Sequence, residues 1–152
     1  WQGTEYAAFV HGSGLVKSMT GQDFPFPKSV YLMRDMIGSV LKSRPNGRVL
    51  DIYGGSGTTA HAVMMLDRED QGQRSSVTLC QNEVSGDQAK SLLRSGYTDD
   101  RPEWEASGIC RLVTWPRMLS ALTGLRWDGK HVDGLKGGVE YMKLKIHTPP
   151  PA

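Results

Sequence analysis

The apolar residues of this chain recur at two different periods, and the alternation between them sets the expected architecture. After Ser29, a residue suited to an N-cap, Val30, Met33, Met36 or Ile37, Val40 and Leu41 fall on one helical face until Pro45-Asn46-Gly47 ends the run. That spacing predicts a helix over 29–43. A short apolar run then predicts a strand over 48–52, followed by a helix over 58–66 and a solvated turn from Asp67 to Gly72. Residues 76–81 read as a second strand and 88–93 as a helix closed by Ser95-Gly96. The β-branched and apolar content of 109–115 predicts a third strand. Pro116 is suited to open a short helix up to Gly124, and 139–146 alternates well enough for a final edge strand. Strand and helix taken in turn predict an α/β fold, a mostly parallel sheet flanked by helices with right-handed crossovers.

Either side of this pattern the signals are irregular. His11-Gly12-Ser13-Gly14 and Thr20-Gly21 mark turns, so 1–23 is expected to be an irregular leading segment. Phe24-Pro25-Phe26-Pro27 should run extended, because each proline pushes its predecessor out of the α region. The folded domain is therefore expected over 24–146, with a proline-rich tail at 147–152. A length of 152 residues fits one domain, and 38% hydrophobic content with three Phe implies a modest core.

The sharpest chemical signal is the stretch in which Val49-Leu50 stops at Asp51 and passes through Gly54-Gly55-Ser56-Gly57 into Thr58-Thr59-Ala60. Strand, glycine turn and helix in that order let backbone N–H groups approach a ligand without Cβ interference, and the helix start offers free donors and a positive dipole end. A phosphate-binding loop of the Walker type is disfavoured, because no Lys precedes Ser or Thr at the helix start. Gly55 to Ala60 also satisfies the loose dinucleotide pattern, with Glu83 as the ribose acid, but Asp51 would repel a pyrophosphate. S-adenosylmethionine fits better: Asp51 faces its cations, Glu83 its diol, and the Gly55 to Thr58 backbone its carboxylate. Phe24 to Lys28 would wall an adenine or the methionine chain, or else staple the first helix.

Charge changes this picture little. Eighteen Lys plus Arg against sixteen Asp plus Glu give +2, too small a field to argue nucleic-acid binding. Cys80 and Cys110 lie apart on apolar stretches, which suggests buried thiols of a reducing compartment rather than a disulfide. No apolar run approaches the ~18 residues of a membrane span, so a soluble, cytoplasmic protein without membrane contact is expected. His11, His61, His131 and His147 have no metal-ligand spacing, and no metal is expected. His61 reads as a partly exposed packing residue, Trp104, Trp115 and Trp127 as core or interface anchors, and Arg111, Arg117 and Arg126 as a solvated face.

These residues resemble a known family. FPFPKSVYLMRDMI, VLDIYGGSGTTAHAV and VTLCQNE, in that order, are similar to the carboxyl-terminal half of the amino-methylating DNA methyltransferases of the type III restriction-modification kind, in their modification subunit. The likeness covers roughly 20–120 and continues more loosely in Gly137 to Tyr141. It implies a partial, Rossmann-like methyltransferase fold using S-adenosylmethionine, with adenine N6 the favoured target over cytosine N4. By the resemblance, Phe26, Pro27, Lys28 and Ser29 form the motif bordering the cofactor. Asp51, Tyr53, Gly54, Gly55, Ser56, Gly57, Thr58 and Thr59 form the methionine-binding motif, and Glu83 is the ribose acid. Ile52 stands where the family commonly has Phe or Pro, and Gly54 where it commonly has Ala.

The same resemblance exposes a departure. The family clamps its flipped base with an (Asp/Asn/Ser)-Pro-Pro-aromatic motif. Here the only Pro-Pro run, Thr148 to Ala152, lacks the aromatic. The chain is therefore expected to be the cofactor-binding portion of a larger methyltransferase, inactive alone, with DNA reached through the complete enzyme. Its sheet should expose an edge unless another segment, a partner subunit or a second copy covers it. Two other readings stay open: a noncatalytic interaction module with an empty pocket, and a nicotinamide-binding domain.

Overall fold

Parallel pairing of two short strands organises the chain. The computed structural model describes residues 3–135 and 137–144. Strand β1 (Arg48–Asp51) lies beside β2 (Ser75–Thr78) in parallel register, Val49 against Ser76, Leu50 against Val77 and Asp51 against Thr78. Helix α3 (Thr58–Asp70) makes the crossover between them. Because side chains alternate across a strand, Val49, Asp51, Ser76 and Thr78 are half-buried, while Leu50 and Val77 are 65% and 55% exposed on the other face. One face of the sheet is thus uncovered among the described residues.

Helix α2 (Val30–Leu41) packs along α3, with Val30, Gly38 and Leu41 buried. A Cβ at Gly38 would stand 3.2 Å from Leu66 Cδ2, so glycine sets how closely the two helices approach. Arg74, just before β2, ties their far ends: its guanidinium donates to Asp67, Asp70 and the Leu41 carbonyl. Helix α3 therefore continues through the charged stretch to Asp70 instead of stopping at Leu66.

Several expectations from sequence are corrected. The segment 1–23 is not irregular over its described residues: a 3-10 turn (Thr4–Tyr6) and a π-helical turn (Phe9–Gly14) lead into α1 (Leu15–Thr20), whose Val16 and Met19 are core residues. Gly12 is a contact residue and not a turn, since a Cβ there would lie 2.5 Å from the Pro27 carbonyl oxygen. Among the described glycines of this segment, only Gly21, with φ 72°, acts as the helix terminator that its type suggests. Phe26 departs from the extended backbone expected before a proline and takes φ 52°.

The sheet is smaller than expected. Residues 110–114 form a π-helical turn (Cys110–Thr114), which continues into a helix, α6 (Trp115–Thr123), so 109–115 is not a strand. Asn82 explains part of this: its Oδ1 accepts from the N–H groups of Cys110, at 2.9 Å, and Arg111, at 3.3 Å, capping the turn. Packing of Cys110, Val113, Met118 and Ala121 into the core outweighs the β propensity of Ile109 and Val113. Residues 139–144 also form no strand; Tyr141 instead packs edge-on to Trp115 and beneath the Arg111 guanidinium. Residues 145 and 146 of that expected strand, and the tail at 147–152, lie outside the described residues.

Between β2 and the turn at 110, the chain forms α4 (Gly86–Arg94), capped by Ser85, and an unforeseen short helix, α5 (Pro102–Ala106). Cys80 and Cys110 are joined as a disulfide, which corrects the expectation of two free thiols. No helix among the described residues is long and apolar enough to cross a membrane.

Candidate functional site

The glycine turn after β1 is built by its own backbone and by the end of β2. Gly57 N–H donates to the Gly54 carbonyl at 2.7 Å, closing the turn, and Gly54 N–H donates to the Leu79 carbonyl at 2.9 Å. Asp51 Oδ1 accepts the Tyr53 N–H at 3.1 Å, so this carboxylate also sets the exit of the strand. Gly55 and Gly57 have φ 46° and 73°, a region costly for side-chain-bearing residues. A Cβ at Gly54 would overlap Thr78 Cγ2, which is why glycine stands there. Helix α3 begins at Gly57 with no side-chain cap. The N–H groups of Thr58, Thr59 and Ala60 have no acceptor within the helix, leaving donors and a positive dipole end beside the turn.

Beneath the turn lies a layer that sequence reasoning missed. Arg117 of α6 is 0% exposed, and its Nη1 donates to the Ser56 carbonyl at 3.1 Å, Ser56 Oγ at 3.2 Å and Thr58 Oγ1 at 2.9 Å. Thr114 Oγ1 donates to the Gly55 carbonyl at 2.6 Å. Arg117 Nε donates to His61 Nδ1 at 3.4 Å, which requires a neutral imidazole with its proton on Nε2. Burial first, then the nearby Arg117 and Arg126 charges, push His61 down to about 3. Burial alone pushes Arg117 down to about 10, so it stays charged at neutral pH. Arg117 is therefore no part of a solvated face, and His61 is no partly exposed residue. The Ser56 and Thr58 hydroxyls and the Ser56 carbonyl are thus engaged from below, and both residues are buried.

The remaining predicted residues are placed as follows. Glu83 is exposed, five residues beyond the β2 partner of Asp51, and its carbonyl accepts the Ile109 N–H at 2.9 Å. Asn82 holds this loop through the two bonds to 110 and 111 and a third, from Nδ2 to the Glu105 carbonyl at 2.8 Å. Phe24 reaches the turn: its Cζ is 3.4 Å from where a Gly55 Cβ would be. Phe26 is 97% exposed and Tyr53 82%. Lys28 is also exposed, and Pro27 and Thr59 are buried. Ser29 is the α2 cap, accepting from Leu32 N–H at 3.5 Å and donating to the Glu5 carbonyl at 2.9 Å. A cavity of about 430 Å³ lies elsewhere, lined by Val63, Val77, Trp115, Met118 and Tyr141 among others. Neither Asp51, the 54–57 turn nor Glu83 lines it; Gly54, Ser56 and Gly57 are buried, Asp51 is half-buried and Glu83 is exposed. No group of three or more His, Cys, Asp or Glu suited to a metal occurs among the described residues.

Comparison with known proteins bears on this turn directly, because the family profile described as "DNA methylase" matches residues 4–92, more than half the chain and the whole span from α1 through the turn to α4. The chain belongs to the DNA methylase family. Among the relatives of this methylase-family chain, the type III restriction-modification enzyme StyLTI Mod subunit of Salmonella typhimurium is 39% identical over 74 residues, 49% of this chain and 11% of that protein. The EcoPI Mod subunit of Escherichia phage P1 is 31% identical over 97 residues, 64% of this chain and 15% of that protein. The chain thus spans a small part of the curated relatives it matches.

The match ends at 92, so the methylase profile does not reach Thr114 or Arg117. A signal for Arg117 was nonetheless present. Val113, Arg117, Ser120 and Ala121 recur at i, i+4, i+7 and i+8, one helical stripe, which reading 109–115 as a strand concealed.

Proposed function

We propose that this chain is the cofactor-binding portion of a DNA methyltransferase of Rossmann-like type, which transfers methyl from S-adenosylmethionine to an exocyclic amine, adenine N6. The observation that carries the reading is the uncapped start of α3 following a turn with two positive-φ glycines, directly after a strand ending in Asp51. That donor set suits a carboxylate, and Asp51 at the end of β1 and Glu83 in the loop after β2 supply acids for an ammonium and a ribose diol. When bound, S-adenosylmethionine would supply an electrophilic methyl group on its sulfonium.

The chain's own residues would then bind and orient. Main-chain N–H groups at Gly55, Ser56 and Thr58 to Ala60 receive the carboxylate, Asp51 the ammonium, and Glu83 the diol. Phe24 and Phe26 wall the ligand on the side of Pro27, Lys28 and Ser29, and Tyr53 and Thr59 complete the turn. Phe26 holds a strained backbone while its ring stands in solvent, an arrangement that suits a ring awaiting a stacking partner. A base-clamping Pro-Pro-aromatic motif is not among these residues, so DNA is engaged through the rest of a complete enzyme.

Calorimetric titration of the chain with S-adenosylmethionine and with NAD tests the reading. Binding of the first alone, weakened at least tenfold in Asp51→Ala and in Glu83→Ala, is expected. Tighter NAD binding would replace it with the nicotinamide reading. No heat from either ligand, together with a stable dimer in sedimentation, would favour an interaction module using the bare sheet face at Leu50 and Val77. Methyl incorporation into DNA by the chain alone would contradict the expected dependence on a further segment.

A further inference from the structure

The geometry points to Arg117 as a positioning residue that selects for a carboxylate-bearing ligand at the glycine turn. This rests on the cofactor reading above. Two arginine side chains are buried among the described residues, and they differ in one respect. Arg74 is neutralised by Asp67 and Asp70, which it meets at 2.9 and 2.6 Å. Arg117 meets no carboxylate: its acceptors are a carbonyl, two hydroxyls and a neutral imidazole. Its Nη2 has no hydrogen-bond partner among the described residues. An unneutralised buried cation is costly, and an anion held nearby lowers that cost.

On this reading such an anion belongs at the turn that Arg117 supports. Its Nη1 bonds to the Ser56 carbonyl and to the Ser56 and Thr58 hydroxyls, at the start of α3. Donation to the Ser56 carbonyl also polarises the Ser56–Gly57 peptide, strengthening the Gly57 N–H bond that closes the turn. Arg117 therefore does two things at once: it stiffens the loop, and it adds a full charge in low dielectric to the partial charge of the α3 dipole. Neither action requires contact with the ligand.

The test uses a pair of ligands that differ in that one group, S-adenosylmethionine and its decarboxylated analogue, titrated into the full chain. Wild type should prefer the carboxylate form by roughly tenfold or more. Arg117→Met and Arg117→Gln, both neutral, should reduce the preference to about twofold, whatever the loss of loop stiffness costs both ligands alike; a structural role alone would weaken both ligands together and leave the preference unchanged. An unchanged preference in either folded variant overturns the inference. Should neither variant fold, the Arg117 side-chain Nε–H resonance of the wild type decides: it should shift with S-adenosylmethionine and not with the analogue, and equal shifts overturn the proposal. If wild type binds neither ligand, the cofactor reading itself fails, an outcome separate from failure of the Arg117 role.

Discussion

Acid should destabilise this protein through His61, and the size of the effect follows from its burial. The imidazole is held neutral beside Arg117, its pKa pushed down to about 3 from an ordinary 6.5. Below pH 6.5 the unfolded chain binds a proton at this residue that the folded chain refuses. The stability it contributes is complete above 6.5 and is lost as pH falls toward 3, at about 1.4 kcal/mol per pH unit. Between pH 7.5 and 4.5 the loss is therefore about 2 to 3 kcal/mol. The control is His61→Asn, whose Oδ1 accepts from Arg117 Nε as the imidazole does but does not titrate. Asp35 and Asp70, held low by Arg34 and Arg74, and Glu105, held low by Lys143 and Arg111, are common to both proteins and cancel in the difference. Urea unfolding at the two pH values should show wild type losing that much more than the variant. Equal losses in both would refute the reasoning and mean that the imidazole protonates without opening the core.

Two further outcomes are expected. Ser29→Ala removes both the α2 cap and the bond to the Glu5 carbonyl, and should lower stability by about 1 to 2 kcal/mol in thermal unfolding, with Ser29→Thr retaining most of it. Gly57→Ala forces a side chain into φ 73° and brings a Cβ to 3.2 Å from Met118 Cε and Thr114 Cγ2, so a loss of about 1 to 2 kcal/mol and weakened S-adenosylmethionine binding should appear together. A fully stable Gly57→Ala protein would show that the turn relaxes more readily than its contacts imply.

Local signals were legible where one stretch of sequence decides its own conformation. Ser29 capping α2, the β1 strand, the glycine turn and Gly124 ending α6 were all visible, because caps, turns and positive-φ sites act over a few residues. What failed was decided at a distance. Ile109 and Val113 look like strand residues until Asn82, 28 residues away, caps the Cys110 N–H and the core takes up the helical stripe. Gly12 looks like a turn until Pro27 is found against it. The candidate rim, Phe26, Asp51, Tyr53 and Glu83, was proposed from motif order. Its support from Thr114 and Arg117 was not, since an arginine in a mid-helix position reads as solvated unless the helix itself is recognised first.

Both ends of the proposed ligand surface are fastened to a single stretch of chain. Cys110 and Arg111 grip the loop carrying Glu83 by way of Asn82, while Thr114 and Arg117, one to two helical turns later, grip the glycine turn from below. A small rotation of that stretch would move acid and turn in concert, tightening or slackening the two poles of one molecule together. Anything that leans on α6 from outside would thereby shift the turn and the Glu83 loop together.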